Sequence, residues 1–290
     1  MDTGTTANAA EDNLLDDPDH LIRHIREKLT KGRVSSNSGS STLVTGERRS
    51  AVLMVVTLCG TDGNGTGLEP CLVFNKRSKK VRQAGDLCFP GGGIRAFDKI
   101  LSRLLRLPGL PLGPHFAGTK NGFGPRSYSR RTSLWLAAGL REAWEEMRLN
   151  PLKVTYLGAL PDQRLVMFKH LIHPMVAWVR PGQHFRTNWE VDRIVYIPMK
   201  KLLDQDNYGR CRLVLQGTAL NRHGRPTEFP CYFHRGRASR ELLWGATFRI
   251  TMDFLKLAFK FQPPLVQDLP IVTSILDEAY LNGSRPDQRR

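Results

Sequence analysis

Acidic residues are scarce in this chain. Only 27 Asp and Glu stand against 43 Lys and Arg, and the resulting net charge of +16 favours anionic partners: phosphorylated metabolites, nucleic acid or a membrane surface. Paired cysteines are missing as well. The five present (Cys59, Cys71, Cys88, Cys211, Cys231) are odd in number and form no C-x-x-C, which argues against a disulfide framework or a zinc ribbon. They read as small apolar residues in a reducing compartment. Long apolar runs are absent; the strongest, Ala51–Cys59, is far too short to span a bilayer. The first twenty residues hold no Lys or Arg and no apolar stretch, so a secretory signal is not expected and a soluble, cytoplasmic protein is. Glycine and proline follow no period, which excludes a collagen-like chain, and a charged fraction of 24% excludes wholesale disorder.

What is present suffices for one large core, since 290 residues are 40% hydrophobic. Residues 1–47 read as an N-terminal extension. It holds a helix over about 17–31, capped by Asp17 or Asp19, with Leu21, Ile22, Ile25 and Leu29 on one face and Gly32 as its stop. A Ser-rich linker follows at 35–42. The main domain, 48–260, opens with a buried strand at Ala51–Cys59 and its hairpin partner at Pro70–Asn75. Residues 99–133 read as a basic insertion: Lys99, Arg103, Arg106, Lys120, Arg126, Arg130 and Arg131 occur there without a single acid. A short helix over Lys99–Leu107 precedes loop. The clearest helix is Leu134–Leu149, with Leu136, Leu140, Ala143, Trp144 and Met147 on its apolar side. Strands are expected at Lys153–Leu160, His170–Val179, Arg193–Ile197, Cys211–Gln216 and Glu228–Phe233, with a short helix at Met199–Asp204. A long helix is expected at Arg240–Phe261. A tail, 261–290, carries one more helix near Val272–Leu281.

Chemistry concentrates in the run Arg141–Glu146, REAWEE, inside the clearest helix. Glu142, Glu145 and Glu146 are spaced i, i+3 and i+4, so their carboxylates share one face about a turn apart. Three such charges repel unless a cation or an arginine sits among them, and hard oxygen ligands suit Mg²⁺ or Mn²⁺. Arg141, at i,i+4 from Glu145, is placed to hold one of them. The second feature is Phe89–Gly93, FPGGG, where glycine lets backbone approach a metal or phosphate closely.

Together these segments resemble the Nudix hydrolase signature, Gly-x5-Glu-x7-Arg-Glu-U-x-Glu-Glu-x-Gly-U, where U is bulky and apolar. Gly92 stands at the first glycine, and Arg141, Glu142, Ala143, Glu145 and Glu146 fill the helical core of the signature. The preceding Arg77, Ser78, Arg82, Gly85 and Phe89–Gly92 look like the additional motif of the coenzyme A pyrophosphatase branch. Val191–Asp204 and Glu241–Leu255 also resemble segments of that branch, so the likeness covers roughly 48–260. There are departures. Asp98 occupies the place of the first glutamate, Arg95 replaces an acid, Arg148 replaces the glycine after the Glu-Glu pair, and the stretch from Asp98 to Arg141 is much longer than the signature allows.

The resemblance implies an α/β/α sandwich of the Nudix type with a mixed sheet, carrying the extension and the insertion. It implies Mg²⁺- or Mn²⁺-dependent hydrolysis of coenzyme A or its thioesters to adenosine 3′,5′-bisphosphate and a 4′-phosphopantetheine half. ADP-ribose and NADH are alternative substrates. Arg141, Glu142, Glu145 and Glu146 would be catalytic, and Gly92 with the three glutamates would hold metal. Lys76, Arg77, Arg82, Gly91 and Gly92 would bind substrate. A rival is a nucleic-acid-binding protein on the same scaffold, motivated by the charge. No RNA-recognition or helix-turn-helix pattern accompanies it, and nucleic acid is not the expected partner. The five tryptophans and the strand histidines His170 and His173 are expected to be structural.

Overall fold

The computed structural model describes residues 14–36, 46–60, 67–106, 126–165, 169–215, 227–236, 240–265, 267, 269–276 and 280. In chain order its elements are α1 (Pro18–Ser36), β1 (Arg48–Gly60), β2 (Leu68–Arg77), β3 (Leu87–Cys88), β4 (Gly91–Gly92), α2 (Ala96–Leu104) and α3 (Arg126–Met147). There follow β5 (Val154–Ala159), β6 (Gln163–Leu165), β7 (His170–Val179), β8 (Val191–Pro198), α4 (Met199–Leu203) and β9 (Tyr208–Leu215). The last are β10 (Thr227–Arg235), β11 (Arg240–Leu243), α5 (Gly245–Phe259) and β12 (Ile271–Leu276).

β1 is the central strand of a mixed sheet ordered β3-β2-β1-β7-β5, with β4 paired to β1, β6 to β7 and β8 to β2. It runs antiparallel to β2 and parallel to β7, from Arg48 opposite His170 to Val56 opposite Trp178. A strand covered on both faces needs apolar side chains in both directions, which explains the unbroken Val-rich run. Alternate residues go to separate cores. Ala51, Leu53 and Val55 pack with Leu136, Leu140, Ala143 and Met147 of α3. Met54 and Val56 pack with Leu21, Ile25 and Leu29 of α1 and with Phe254, Leu255 and Ala258 of α5. Helices therefore cover both faces of the sheet, and the fold is the expected layered α/β class.

Four expectations need correction. α1 does not stop at Gly32 but continues to Ser36; the side chain of Asp17 caps it, accepting the backbone N–H groups of Asp19 and His20 at 3.0 Å each. α3 begins at Arg126, inside the expected insertion. The helix expected from Arg240 is a strand followed by a helix: Leu243 pairs with Tyr232 on β10, and Gly245, at φ +66, starts α5. Around Val272 lies not a helix but β12, parallel to β9. β11, β10, β9 and β12 thus form a second, four-stranded sheet that the sequence reading missed. Most of the expected linker (37–42) and the middle of the insertion (107–125) lie outside the described residues.

The five cysteines are free thiols, with Cys71, Cys211 and Cys231 buried. Trp135 and Trp178 are core residues. Trp144 and Trp189 are not: they are 47% and 60% exposed, Trp144 beneath the guanidinium of Arg148. His170 is within hydrogen-bonding distance of Ser50 Oγ (2.9 Å), and His173 of Asp162 (2.8 Å). Among the described residues no helix is long and apolar enough to cross a membrane.

Candidate active site

The helix face opposite Leu136, Leu140 and Met147 carries Arg141, Glu142, Glu145 and Glu146. Sheet packing on one side of α3 therefore fixes where these four side chains emerge. The helix ends abruptly after them. Arg148 takes the left-handed φ of +55 in place of the signature's glycine. The Arg148 N–H donates to the Trp144 carbonyl (3.1 Å), the 5→1 bond of an αL closure, and the Leu149 N–H reaches farther back to that of Ala143 (3.2 Å).

The glycine bend meets this face directly. Gly91 and Gly92 pair with Val52 and Ala51 of β1, so β4 is held on the central strand beside α3. There is no room for side chains. A Cβ on Gly91 would lie 2.4 Å from the Ala51 carbonyl oxygen, and one on Gly92 would lie 2.2 Å from Glu142 Oε1.

Arg141 ties the segments together. Its Nε donates to Asp98 Oδ1 (2.8 Å), Nη2 to Asp98 Oδ2 (3.2 Å) and to the Gly93 carbonyl (2.9 Å). Nη1 donates to Glu142 Oε1 (2.8 Å) and Glu145 Oε2 (3.3 Å). Burial alone would lower the pKa of Arg141, but Asp98 and Glu142 outweigh it and raise it further above neutrality. Asp98 is fully buried in the first turn of α2. The two halves of the signature, separated by the insertion, are thus joined through one guanidinium.

Glu146 reaches toward β2 of the sheet. Its Oε2 accepts Asn75 Nδ2 at 2.7 Å and its Oε1 the Gly91 N–H at 3.4 Å. Burial pushes its pKa up to about 7, although these two hydrogen bonds pull the other way; the charges of Glu142 and Glu190 add to the rise. Glu145 is the most open of the three. Both its oxygens accept Arg95 Nη1, at 2.9 and 3.0 Å.

The donor set suits a hard divalent cation: three carboxylates on one helical turn, with the Glu142 carboxylate pressed against Gly92. As placed, the carboxylates turn toward arginines and Asn75. Among the described residues no group of three or more His, Cys, Asp or Glu is gathered for a metal ion.

Of the expected substrate-binding residues, Gly91 and Gly92 lie at the carboxylates. Lys76 does not present a spare charge. Its Nζ is 2.8 Å from Glu241 on β11, which is almost fully buried and is shared with Arg193. Arg77 Nε donates to the Arg82 carbonyl (2.8 Å), closing the basic turn, while Arg82 itself is exposed. This turn leaves β2 just beyond Asn75, so Arg77 stands only about 7 Å along the strand from the residue that touches Glu146.

Sequence reasoning missed Asn75, the Arg95–Glu145 pair, Glu190 and Glu241. Asn75 had a signal, a polar residue ending an apolar strand. The others are known only through contacts between distant segments.

No family model matches the chain, and no curated protein does. Solved structures do. A NUDIX hydrolase from Nitrosomonas europaea has 9% identity over 82% of this chain and 85% of that one, with a TM-score of 0.37. A NUDIX hydrolase from Alicyclobacillus acidocaldarius has 17% identity over 56% of this chain and 83% of that one, at 0.36. The NUDIX domain of Shewanella oneidensis NrtR, complexed with ADP ribose, has 11% identity over 60% and 86%, at 0.31. Among these structures identity does not exceed 17% and the TM-score does not exceed 0.37.

Proposed function

We propose that this chain is a Nudix-type hydrolase that splits the diphosphate linkage of coenzyme A or an acyl-coenzyme A with the help of Mg²⁺ or Mn²⁺. One observation carries the reading. Arg141 gathers Asp98, Gly93 and Glu142 across the insertion, which brings the glycine bend and the acidic turn of α3 together as the signature requires.

In this reading Glu142, Glu145, Glu146 and the Gly92 carbonyl would hold the divalent ion, whose chemistry when bound would be charge neutralisation of a diphosphate and acidification of a water. Arg141 does not touch substrate; it orients Glu142 and keeps Gly93 in place. Asn75 fixes the Glu146 carboxylate. Proton removal from the attacking water falls to a carboxylate outside the metal set, with Glu190 the candidate, and is typically worth about 10²–10⁴ in rate. Arg77 and Arg82, on the turn next to Asn75, are the side chains for the 3′-phosphate, because a guanidinium offers a bidentate fork to phosphate. Lys76, engaged by Glu241, shapes that turn and is not a primary phosphate ligand.

The test is incubation with coenzyme A and Mn²⁺, followed by chromatography for adenosine 3′,5′-bisphosphate. Product is expected from the wild type and not from Glu146→Gln, and dephospho-coenzyme A should be turned over more slowly. Equal turnover of the two substrates would remove the 3′-phosphate from the reading. No turnover of these, ADP-ribose or NADH would favour a binding protein on this scaffold.

A further inference from the structure

The acidic turn already contains cations of its own, and they are not equivalent. Arg141 is structural: its side chain is 7% exposed and held by Asp98, the Gly93 carbonyl and two glutamates. Arg95 is 59% exposed. Its guanidinium nevertheless spans two of the three helix carboxylates: Nη1 lies against both oxygens of Glu145, and Nη2 is 3.7 Å from Glu142 Oε1. Its backbone is anchored independently, the Arg95 N–H donating to Asp98 Oδ2 at 2.7 Å. The side chain can therefore leave the carboxylates without disturbing the loop that carries it.

We infer that Arg95 is a resident, displaceable cation of this site, which holds Glu145 and Glu142 in the metal-free protein and must swing away before a divalent ion can take both carboxylates. The inference rests on the metal-holding role proposed above for the three glutamates. Asp98, Glu142 and Glu145 are already paired with two guanidiniums, so one divalent ion arriving while Arg95 stays would meet a positive charge at hydrogen-bonding distance from its own ligand. Opposite-charge partners of Glu145 compete for the same oxygens, and each lowers the affinity of the other. Exposure decides which arginine yields: solvent rehydrates Arg95 on release, whereas Arg141 would leave the buried Asp98 carboxylate without a counter-charge. Once out, Arg95 remains at the rim of the site and is available to the anionic substrate.

The test is Mn²⁺ binding to the metal-free full-length protein, by isothermal titration calorimetry and by the paramagnetic resonance signal of free Mn²⁺. Arg95→Gln should bind Mn²⁺ at least about tenfold more tightly than wild type, with Arg95→Lys between them. Without metal, Arg95→Gln should melt at a lower temperature than wild type, and saturating Mn²⁺ should raise its melting temperature by more. Circular dichroism checks that each variant is folded. Equal Mn²⁺ affinities in wild type and Arg95→Gln overturn the role of Arg95 while leaving the metal-dependent hydrolase intact. Failure of every variant to bind Mn²⁺ overturns both.

Discussion

Arg141 and Glu146 show two ways of keeping a charge out of water. Arg141 surrounds itself with acceptors, so each carboxylate it touches is compensated. Glu146 has only Asn75 and a long contact to the Gly91 N–H, and its pKa rises from 4.5 to about 7. The native state therefore keeps a proton on Glu146 that the unfolded chain gives up. Stability from this group is complete below pH 4.5 and is lost as pH rises through about 7. The size is on the order of 3 kcal/mol. Urea unfolding of the metal-free protein at pH 5 and pH 8 should show this loss, and Glu146→Gln should lack that part of it. Parallel pH profiles for wild type and variant would refute the assignment. The three glutamates were legible in the sequence because their spacing is helical and local. The Asn75 contact spans 71 positions and the Arg95 contact 50, and no local pattern encodes either.

β4 is only two residues long, yet it sets the distance between β1 and the acidic turn of α3. Its two glycines face different neighbours, which separates stability from chemistry. A methyl on Gly91 runs into backbone: 2.4 Å from the Ala51 carbonyl oxygen and 2.9 Å from Val52 Cα. Val52 Cγ1, at 2.7 Å, belongs to a side chain, but the two backbone atoms cannot swing aside. Gly91→Ala should cost about 1–3 kcal/mol or more in urea unfolding. A methyl on Gly92 meets the far end of the Glu142 side chain, which can turn aside where backbone cannot, at the loss of its contact with Arg141. Gly92→Ala should unfold nearly as wild type but lose most Mn²⁺ binding and turnover. Full turnover in Gly92→Ala would show that the position of Glu142 against the bend does not matter. The elements around this site were readable wherever the apolar period was long, as in α3 and β7. They were misread where the apolar run was short. Arg240–Leu243 continues the helical period of α5, and only pairing with β10 makes it a strand. β12 likewise exists because β9 offers it an edge.

Joining the two sheets calls for charge as well as apolar packing. Glu241 on β11 receives Lys76 of β2 and Arg193 of β8, and Asp86 beside β3 receives Trp244 Nε1 (3.0 Å) and the Tyr280 hydroxyl (2.6 Å). Even so, cations remain in excess, and the net +16 is a property of the whole surface. Arg130 and Arg131 are exposed in the first turns of α3. At 1.5 Å per residue they stand roughly 16 Å along the helix from Glu142. That is about two Debye lengths at physiological ionic strength but well inside the roughly 30 Å reached in 10 mM salt. If these charges act by attracting a polyanionic substrate from a distance, their effect must vanish with screening. Arg130→Gln/Arg131→Gln should therefore raise KM for coenzyme A a few-fold in low salt, leave it unchanged near 0.15 M, and leave kcat unchanged in both. A KM increase that persists at the higher salt would mean contact with bound substrate, and would make the basic insertion part of the binding site.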